Sequence, residues 1–290
     1  MAQAARGGGL AGPFGLFAAS SLLAVTLGCV VARAGGAPTS EWARNLLAWA
    51  VGAVVAGGLA RWAGRRTFAV FAGAAVLGLA AAFLGHGQGG VHRWVQLGPL
   101  RINAAEILLP AALVACAAAP HGLRMAWGTA AAILVLLAAQ PDASQATAYG
   151  GGVIVLTAIS PAGRGWRAGA AVLVILAVVV AWLRPDPLAP VPEVEGIMGL
   201  AWRLSPFAGL AAWGLLAAVV LSPLARSRGS DLRPAAIALA AYAVLSALTP
   251  LFGAFPVPLF GMGMSPILGL WLGIGLLAAS ERAAGQASPP

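Results

Sequence analysis

Charge is what this sequence has least of. Only 9% of its 290 residues are Asp, Glu, Lys or Arg, while 60% are hydrophobic. A soluble domain carries about 25% charged residues and needs them to cover its surface. That composition excludes a water-soluble globular fold. Lysine is absent, so all 17 basic residues are arginines. They are scattered between apolar runs, not massed on one patch, which sets nucleic acid aside as a partner despite a formal net charge of +9. Cysteine is scarce too. Cys29 and Cys116 both fall inside apolar runs and read as small buried hydrophobes, not as a disulfide.

Other absences narrow the chemistry. No run alternates strictly at period two, which argues against an outer-membrane barrel. There is no Gly-x-Ser-x-Gly elbow. His86 and His92 have no third ligand at metal spacing, so no metal site is expected there. Gly87, Gly89 and Gly90 neither follow a strand nor open a soluble helix, so no nucleotide loop is implied. No internal repeat supports a transporter built from inverted halves.

What the sequence does contain is a series of apolar runs long enough to cross a bilayer, or nearly so. They cover 14–31, 46–63, 67–84, 104–119, 124–139, 144–159, 168–183, 207–221, 234–248 and 264–279. The expected fold is an all-α polytopic membrane protein of about ten transmembrane helices. It forms a single integral membrane domain over 1–290, with short cytoplasmic tails at 1–12 and 281–290. The first run lacks a small-residue cleavage site and is followed by many spans, so it reads as an anchor.

The arginines set the orientation. With a cytoplasmic N-terminus, Arg6, Arg61, Arg65, Arg66, Arg124, Arg164, Arg167, Arg226, Arg228, Arg233 and Arg282 lie inside. Arg33, Arg44, Arg93, Arg101, Arg184 and Arg203 lie outside. This fits the positive-inside bias and puts both termini in the cytoplasm. Most carboxylates then face outward: Glu41, Glu106, Asp142, Asp186, Glu193 and Glu195.

Polar residues concentrate in 84–110, where two His, two Arg, Trp94, Asn103 and Glu106 share a short connection between apolar runs. Polar groups at membrane depth mark function more often than not. Three other segments belong to the same side. Gln140-Pro141-Asp142 joins two spans tightly. The segment 184–206 is the longest outer loop, rich in proline, with Glu193 and Glu195 two apart. The segment 249–264 is apolar but broken by Pro250, Pro256 and Pro258. It cannot be a continuous helix, and irregular backbone at membrane depth must line a cavity or be buried in protein. It is an expected wall of an outward-facing groove. Arginines on the outer side can bind anions bidentately, and a lipid-linked diphosphate offers such an anion. Nearby carboxylates could act as general base or hold a divalent cation such as magnesium. The alternative is that Arg44, Arg93, Glu106 and Asp142 pair with one another and fix helix ends. Trp94 also suits an interfacial belt.

In order along the chain, these motifs resemble the RodA/FtsW group of SEDS (shape, elongation, division and sporulation) proteins. Gly90, Arg93-Trp94-Val95-Gln96-Leu97-Gly98-Pro99-Leu100 and Asn103-Ala104-Ala105-Glu106 look like the family's Arg-Trp-Ile-x-Leu-Gly-x-Phe and Gln-Pro-Ser-Glu block. Gln140-Pro141-Asp142-Ala143-Ser144-Gln145-Ala146 resembles Gln-Pro-Asp-Leu-Gly-Thr-Ala, and Arg44-Asn45 resembles Arg-Gln at the second span. The final signature, Leu-Pro-Phe-x-Ser-Tyr-Gly-Gly-Ser-Ser, is matched loosely by 257–266. Pro192-Glu193 matches the family's loop motif, but its catalytic Asp falls at or near Ile197, and Glu195 is the nearest carboxylate. The loop is shorter than usual, and the family's lysine corresponds to Leu109.

The resemblance implies a SEDS-like bundle that polymerises lipid II, or a related undecaprenyl-diphosphate-linked substrate, at the outer face of the bacterial plasma membrane. Glu195 or Glu193 would be the catalytic base. Arg44, Arg93, Trp94, Asn103, Glu106, Gln140 and Asp142 would bind substrate. Membrane lipids and a class B penicillin-binding transpeptidase are the implied partners, in cell shape or division. The departures from the motifs leave open a non-catalytic relative that binds the lipid-linked substrate or a transpeptidase. A lipid flippase or transporter fits the Gly and Pro breaks, but the charges gather at span ends, not at the midplane where transport sites lie.

Overall fold

The computed structural model describes residues 13–98, 100–118, 123–184, 186–226 and 233–287. The tail 1–12 with Arg6, and also Arg228 and Asp231, lie outside the described residues. Eleven α-helices are described: α1 Pro13–Ala34, α2 Thr39–Trp62, α3 Arg65–Ala81, α4 Ala104–Ala117, α5 Leu123–Ala139, α6 Ala143–Ile159, α7 Arg164–Leu183, α8 Ile197–Leu204, α9 Pro206–Leu221, α10 Arg233–Leu248 and α11 Met264–Ala287. Seven of them are long and apolar enough to cross a membrane by length and composition, while α4 and most of α5 form shorter apolar helices. The chain is an all-α polytopic membrane protein, and among the described residues every expected apolar run falls within a helix or its flanking turns. The last helix continues past the expected start of the tail.

Two elements depart from the sequence expectation. The loop 184–206 contains α8, an eight-residue helix that buries Ile197 and Ala201 and exposes Trp202. It is too short to register as a span. The polar stretch before α4 folds as an antiparallel hairpin, β1 Trp94–Leu97 against β2 Leu100–Asn103, with Trp94 opposite Asn103 and Gln96 opposite Arg101. Gly98 turns the chain at φ +59°, a conformation that glycine adopts without cost.

Helix starts follow capping chemistry. Asn103 ends β2 and caps α4, its Oδ1 accepting the Ala105 and Glu106 N–H groups. Asp142 caps α6 by accepting the Gln145 N–H. Ser205 accepts the Ala208 N–H ahead of α9, with Pro206 in the first turn. Arginines satisfy carbonyls at helix C-termini: Arg184 donates to Ala138 and Ala139 of α5, and Arg282 to Ala63 after α2.

The helix α11 is the axis of the bundle. In its spanning part 72% of residues are buried, against 17% in α3 and in α7, which are therefore peripheral. It packs on α2 and α4 through small residues. Pro110 inside α4 has no N–H, so the Glu106 carbonyl loses its helical donor. Gly269 of α11 sits directly against that carbonyl, and Gly273 sits against Pro110. Any Cβ at Gly269 would overlap the carbonyl oxygen. Gly52 of α2 likewise makes room for Trp271, whose ring also meets Phe14, Phe17 and Trp49. Both cysteines are free.

Candidate functional site

The hairpin, the α5–α6 turn and the irregular segments before α8 and α11 gather at one end of the bundle. Backbone bonds join the last two: Met262 N–H donates to Glu193 O and Val257 N–H to Val194 O. Asn45 of α2 pins the same segment, donating to Gly261 O at 3.0 Å and accepting from Gly263 N–H at 3.2 Å. Asn103 N–H donates to Ser265 Oγ, tying the hairpin to α11. Together these enclose a cavity of about 300 Å³. The segment 249–264 is one of its walls, through Ala254, Phe255, Pro256, Met262 and Gly263.

Arg93, Trp94, Asn103, Glu106, Asp142 and Glu195, all singled out in the sequence, line this cavity. Arg93 is buried and heavily committed. Its guanidinium lies 2.8 Å from Asp186 Oδ2 and 3.7 Å from Asp142 Oδ2, donates to Pro141 O at 2.6 Å and covers the Phe255 ring. The Asp186 contact lacks hydrogen-bond alignment and is a Coulombic pair. Arg93 Nε and Asp142 Oδ2 are buried without hydrogen-bond partners. Such orphaned polar atoms are rare in a closed core and common where a ligand or water binds. Asp142 also caps α6, so one carboxylate both starts a helix and faces the cavity.

Glu106 is 8% exposed and sits between this cavity and a pocket of about 10 Å³ bordered by Gln145, Tyr242 and Ser246. The Tyr242 hydroxyl donates to Gln145 Oε1 at 2.6 Å, which holds Gln145 in the cavity wall. Glu195 lies in the loop before α8 and accepts the Val191 N–H at 2.6 Å. Burial raises its carboxyl above the ordinary carboxylate range. The Val191 N–H and Arg93 oppose the shift, and Asp186 adds to it.

Three expected residues do not line the cavity. Arg44 is exposed at the start of α2; its neighbour Asn45 is the residue that holds the cavity wall. Gln140 is buried and donates to Leu79 O at 2.7 Å, tying α5 to α3. Glu193 supplies a backbone carbonyl to the wall, and its carboxylate lies beside Gly35 at the end of α1. Conversely, Asp186, Arg101 and Gln145 line the cavity without having been singled out. Asp186 sits in Pro185-Asp186-Pro187, among the carboxylates assigned to one side. Arg101 sits in a Gln96/Arg101 hairpin pair whose signal was the Gly-Pro dipeptide between two short apolar-polar strings. Among the described residues no three His, Cys, Asp or Glu side chains come together closely enough to hold a metal ion. A second cavity of about 200 Å³ at the opposite end, beside Cys116 and Trp127, has no charged lining among the described residues.

No family model matches the sequence, and no curated protein matches it. The fold does have solved counterparts. It is similar to the rod shape determining protein RodA of Thermus thermophilus, with TM-score 0.70 and 20% identity over 95% of this chain and 98% of that one. A mutant of that RodA gives TM-score 0.69 and 21% identity over 95% and 99%. A chain from a peptidoglycan synthase complex gives TM-score 0.64 and 21% identity over 96% and 99%. The chain thus has the RodA fold along nearly its whole length.

Proposed function

We propose that this RodA-like bundle is a divergent SEDS glycosyltransferase of cell-wall synthesis. It would join lipid II, or a related undecaprenyl-diphosphate-linked sugar, into glycan at the outer face of the bacterial plasma membrane. The observation that supports this reading is the meeting of Glu195 with Arg93, Glu106 and Asp142 in one cavity. In the step envisaged, an acceptor sugar hydroxyl attacks the anomeric carbon of the donor. The new carbon–oxygen bond forms as the bond to the diphosphate oxygen breaks, and the polyprenyl diphosphate leaves as an anion. Glu195 accepts the hydroxyl proton. A carboxyl held above its ordinary range is better matched to that task near neutral pH. Glu106, Asn103 and the free Asp142 oxygen would orient sugar hydroxyls, with Trp94 as a flat face. Glu193, outside the cavity lining, has no part in the step. A class B penicillin-binding transpeptidase is the partner that such a polymerase would serve.

A second reading has its own observation. Glu195 already accepts a backbone N–H, and Arg93 is already paired with two aspartates, as in a scaffold that binds lipid-linked substrate without turning it over. Glycan assembly from lipid II by the purified protein, with and without a transpeptidase, separates the two. On the enzymatic reading the wild type makes glycan, and Glu195→Gln slows it about 100-fold or more. Binding of lipid II with no glycan formed by the wild type, even with the partner present, establishes the scaffold.

A further inference from the structure

A groove of about 350 Å³ runs between α5 and α7, at the end of the bundle away from Glu195. Its walls include Trp127 and Ala131 on α5 and Gly165, Trp166, Gly169 and Leu173 on α7. At its far end α7 is fastened. Arg184 donates to the carbonyls of Ala138 and Ala139 on α5, and Trp182 Nε1 donates to Thr147 Oγ1 on α6. Among the described residues no side-chain hydrogen bond ties the opening turns of α7 to α5. A Cβ at Gly165 or at Gly169 would meet nothing within 4 Å. These two glycines, one helical turn apart, keep the groove open.

A bilayer leaves no such groove empty, so an acyl chain fills it. The polar groups around it say which kind of lipid fits. Arg164 and Arg167 stand in the first turn of α7, beside the groove. Both are exposed and, among the described residues, neither has an ion pair or a side-chain hydrogen bond. Six of the eight acidic residues of the chain (Glu41, Glu106, Asp142, Asp186, Glu193 and Glu195) lie at the other end of the helices. This end is therefore cationic, and a phosphate is the complementary charge at headgroup depth.

Trp127 adds a second requirement. Its Nε1 is buried and has no hydrogen-bond partner. An indole in an interfacial belt normally turns its N–H to the wet layer, as the exposed Trp166 can. A buried N–H in an apolar wall needs an acceptor that reaches below the headgroups. The ester carbonyl of a glycerophospholipid is such an acceptor. It sits between the phosphate and the chain, as Trp127 sits beside both Arg-bearing turn and apolar groove.

We infer that the α5–α7 groove is a binding site for an anionic glycerophospholipid. Arg164 and Arg167 hold its phosphate, and a chain lies along Gly165, Gly169 and Leu173. The arginine bias puts the site in the cytoplasmic leaflet. It is separate from the cavity beside Glu195 and stands whether or not that cavity assembles glycan.

The test is native mass spectrometry of the purified full chain in detergent. Dioleoylphosphatidylglycerol and dioleoylphosphatidylcholine are the two probes, and the apparent Kd for the first lipid retained is the readout. The variants are the double substitution Arg164→Gln/Arg167→Gln, the groove-filling Gly169→Leu, and Arg65→Gln/Arg66→Gln at the exposed start of α3 as a control for general surface charge. Thermal unfolding reports folding of each. An arginine near a headgroup is worth roughly 5-fold in affinity, so the pair is worth about 30-fold. Wild type is expected to prefer phosphatidylglycerol by about that factor. Arg164→Gln/Arg167→Gln is expected to lose the preference, and the control to keep it. Gly169→Leu, which points a side chain into open space, is expected to fold and to weaken the first binding of both lipids. Equal affinities of wild type for the two lipids overturn the inference. So does loss of the preference in the control to the same extent as in Arg164→Gln/Arg167→Gln, which marks diffuse attraction. Wild-type lipid binding by Gly169→Leu also overturns it, since the groove then holds no chain. Each of these results leaves the proposed function standing.

Discussion

At the scale of single residues, the cavity shows how one carboxylate can carry two loads. Asp142 caps α6 and faces Arg93 in a buried setting. Asp142→Ala leaves the guanidinium short of a countercharge and the first turn of α6 uncapped. The expected loss is about 1–2 kcal/mol, chiefly the lost cap, because Asp186 still stands beside the guanidinium. Asp142→Asn keeps the acceptor for the Gln145 N–H and is expected to cost less. Thermal unfolding in detergent ranks the two. Glu195 carries a different expectation. As a general base it must be deprotonated, so activity rises as pH rises through its pKa. Because burial lifts that pKa, the acidic limb of the rate profile is expected above the ordinary carboxylate range, and it should vanish from the residual activity of Glu195→Gln. A wild-type profile flat from pH 4.5 to 8 would remove Glu195 from the role of base.

At the scale of elements, the bundle depends on glycines that let helix backbones touch. Gly269 packs on the carbonyl that Pro110 leaves without a donor, a close contact of the kind small residues permit in membranes. Gly269→Ala is expected to destabilise by about 1–3 kcal/mol through overpacking. Gly57→Ala, in α2 with open space around the new methyl group, is expected to stabilise by up to about 1 kcal/mol, as alanine favours helix over glycine. Comparing the unfolding temperatures of the pair separates packing from helix propensity. Asn45 acts between elements, since its amide bonds both Gly261 and Gly263. Asn45→Ala is expected to loosen the wall 252–263, with faster backbone amide exchange there and little change in α4. The helices themselves were legible because apolar runs bounded by Arg, Gly and Pro are long compared with any turn. The hairpin and α8 were not, because four-residue strands and an eight-residue helix leave too short a pattern to stand out from a loop.

At the scale of the whole molecule, the polar ends of the helices are sorted. Residues 85–98, 100–103, 140–142, 186–196 and 252–263 meet at one end, while Arg164 and the Arg282 cap on α2 lie at the other. The arginine bias predicts that the cavity end faces outside. Arg101→Cys is therefore expected to react with a membrane-impermeant thiol reagent in intact cells, and Arg164→Cys only after permeabilisation. The native cysteines, one buried and one half-buried, give a low background. Reversed accessibility would place the cavity in the cytoplasm and set aside an outer-face reaction.

Composition and the spacing of apolar runs were enough to determine that this chain spans a membrane as a helical bundle, because the hydrophobic effect acts on each segment separately. The same local chemistry lets Asn103 and Asp142 cap the starts of α4 and α6. Which side chains share the cavity was decided by the tertiary structure alone. Arg44 and Asn45 are adjacent in sequence, yet a helix turns neighbours about 100° apart, so one is exposed and the other pins the wall. Glu193 and Glu195 differ as sharply within one loop. Asp186 acquired its place through the loop bonded to the 252–263 segment, and Arg93 and Arg101 theirs through the hairpin fastened to Ser265 of α11. That bonding brings Arg93 and Asp186 together and occupies the buried arginine.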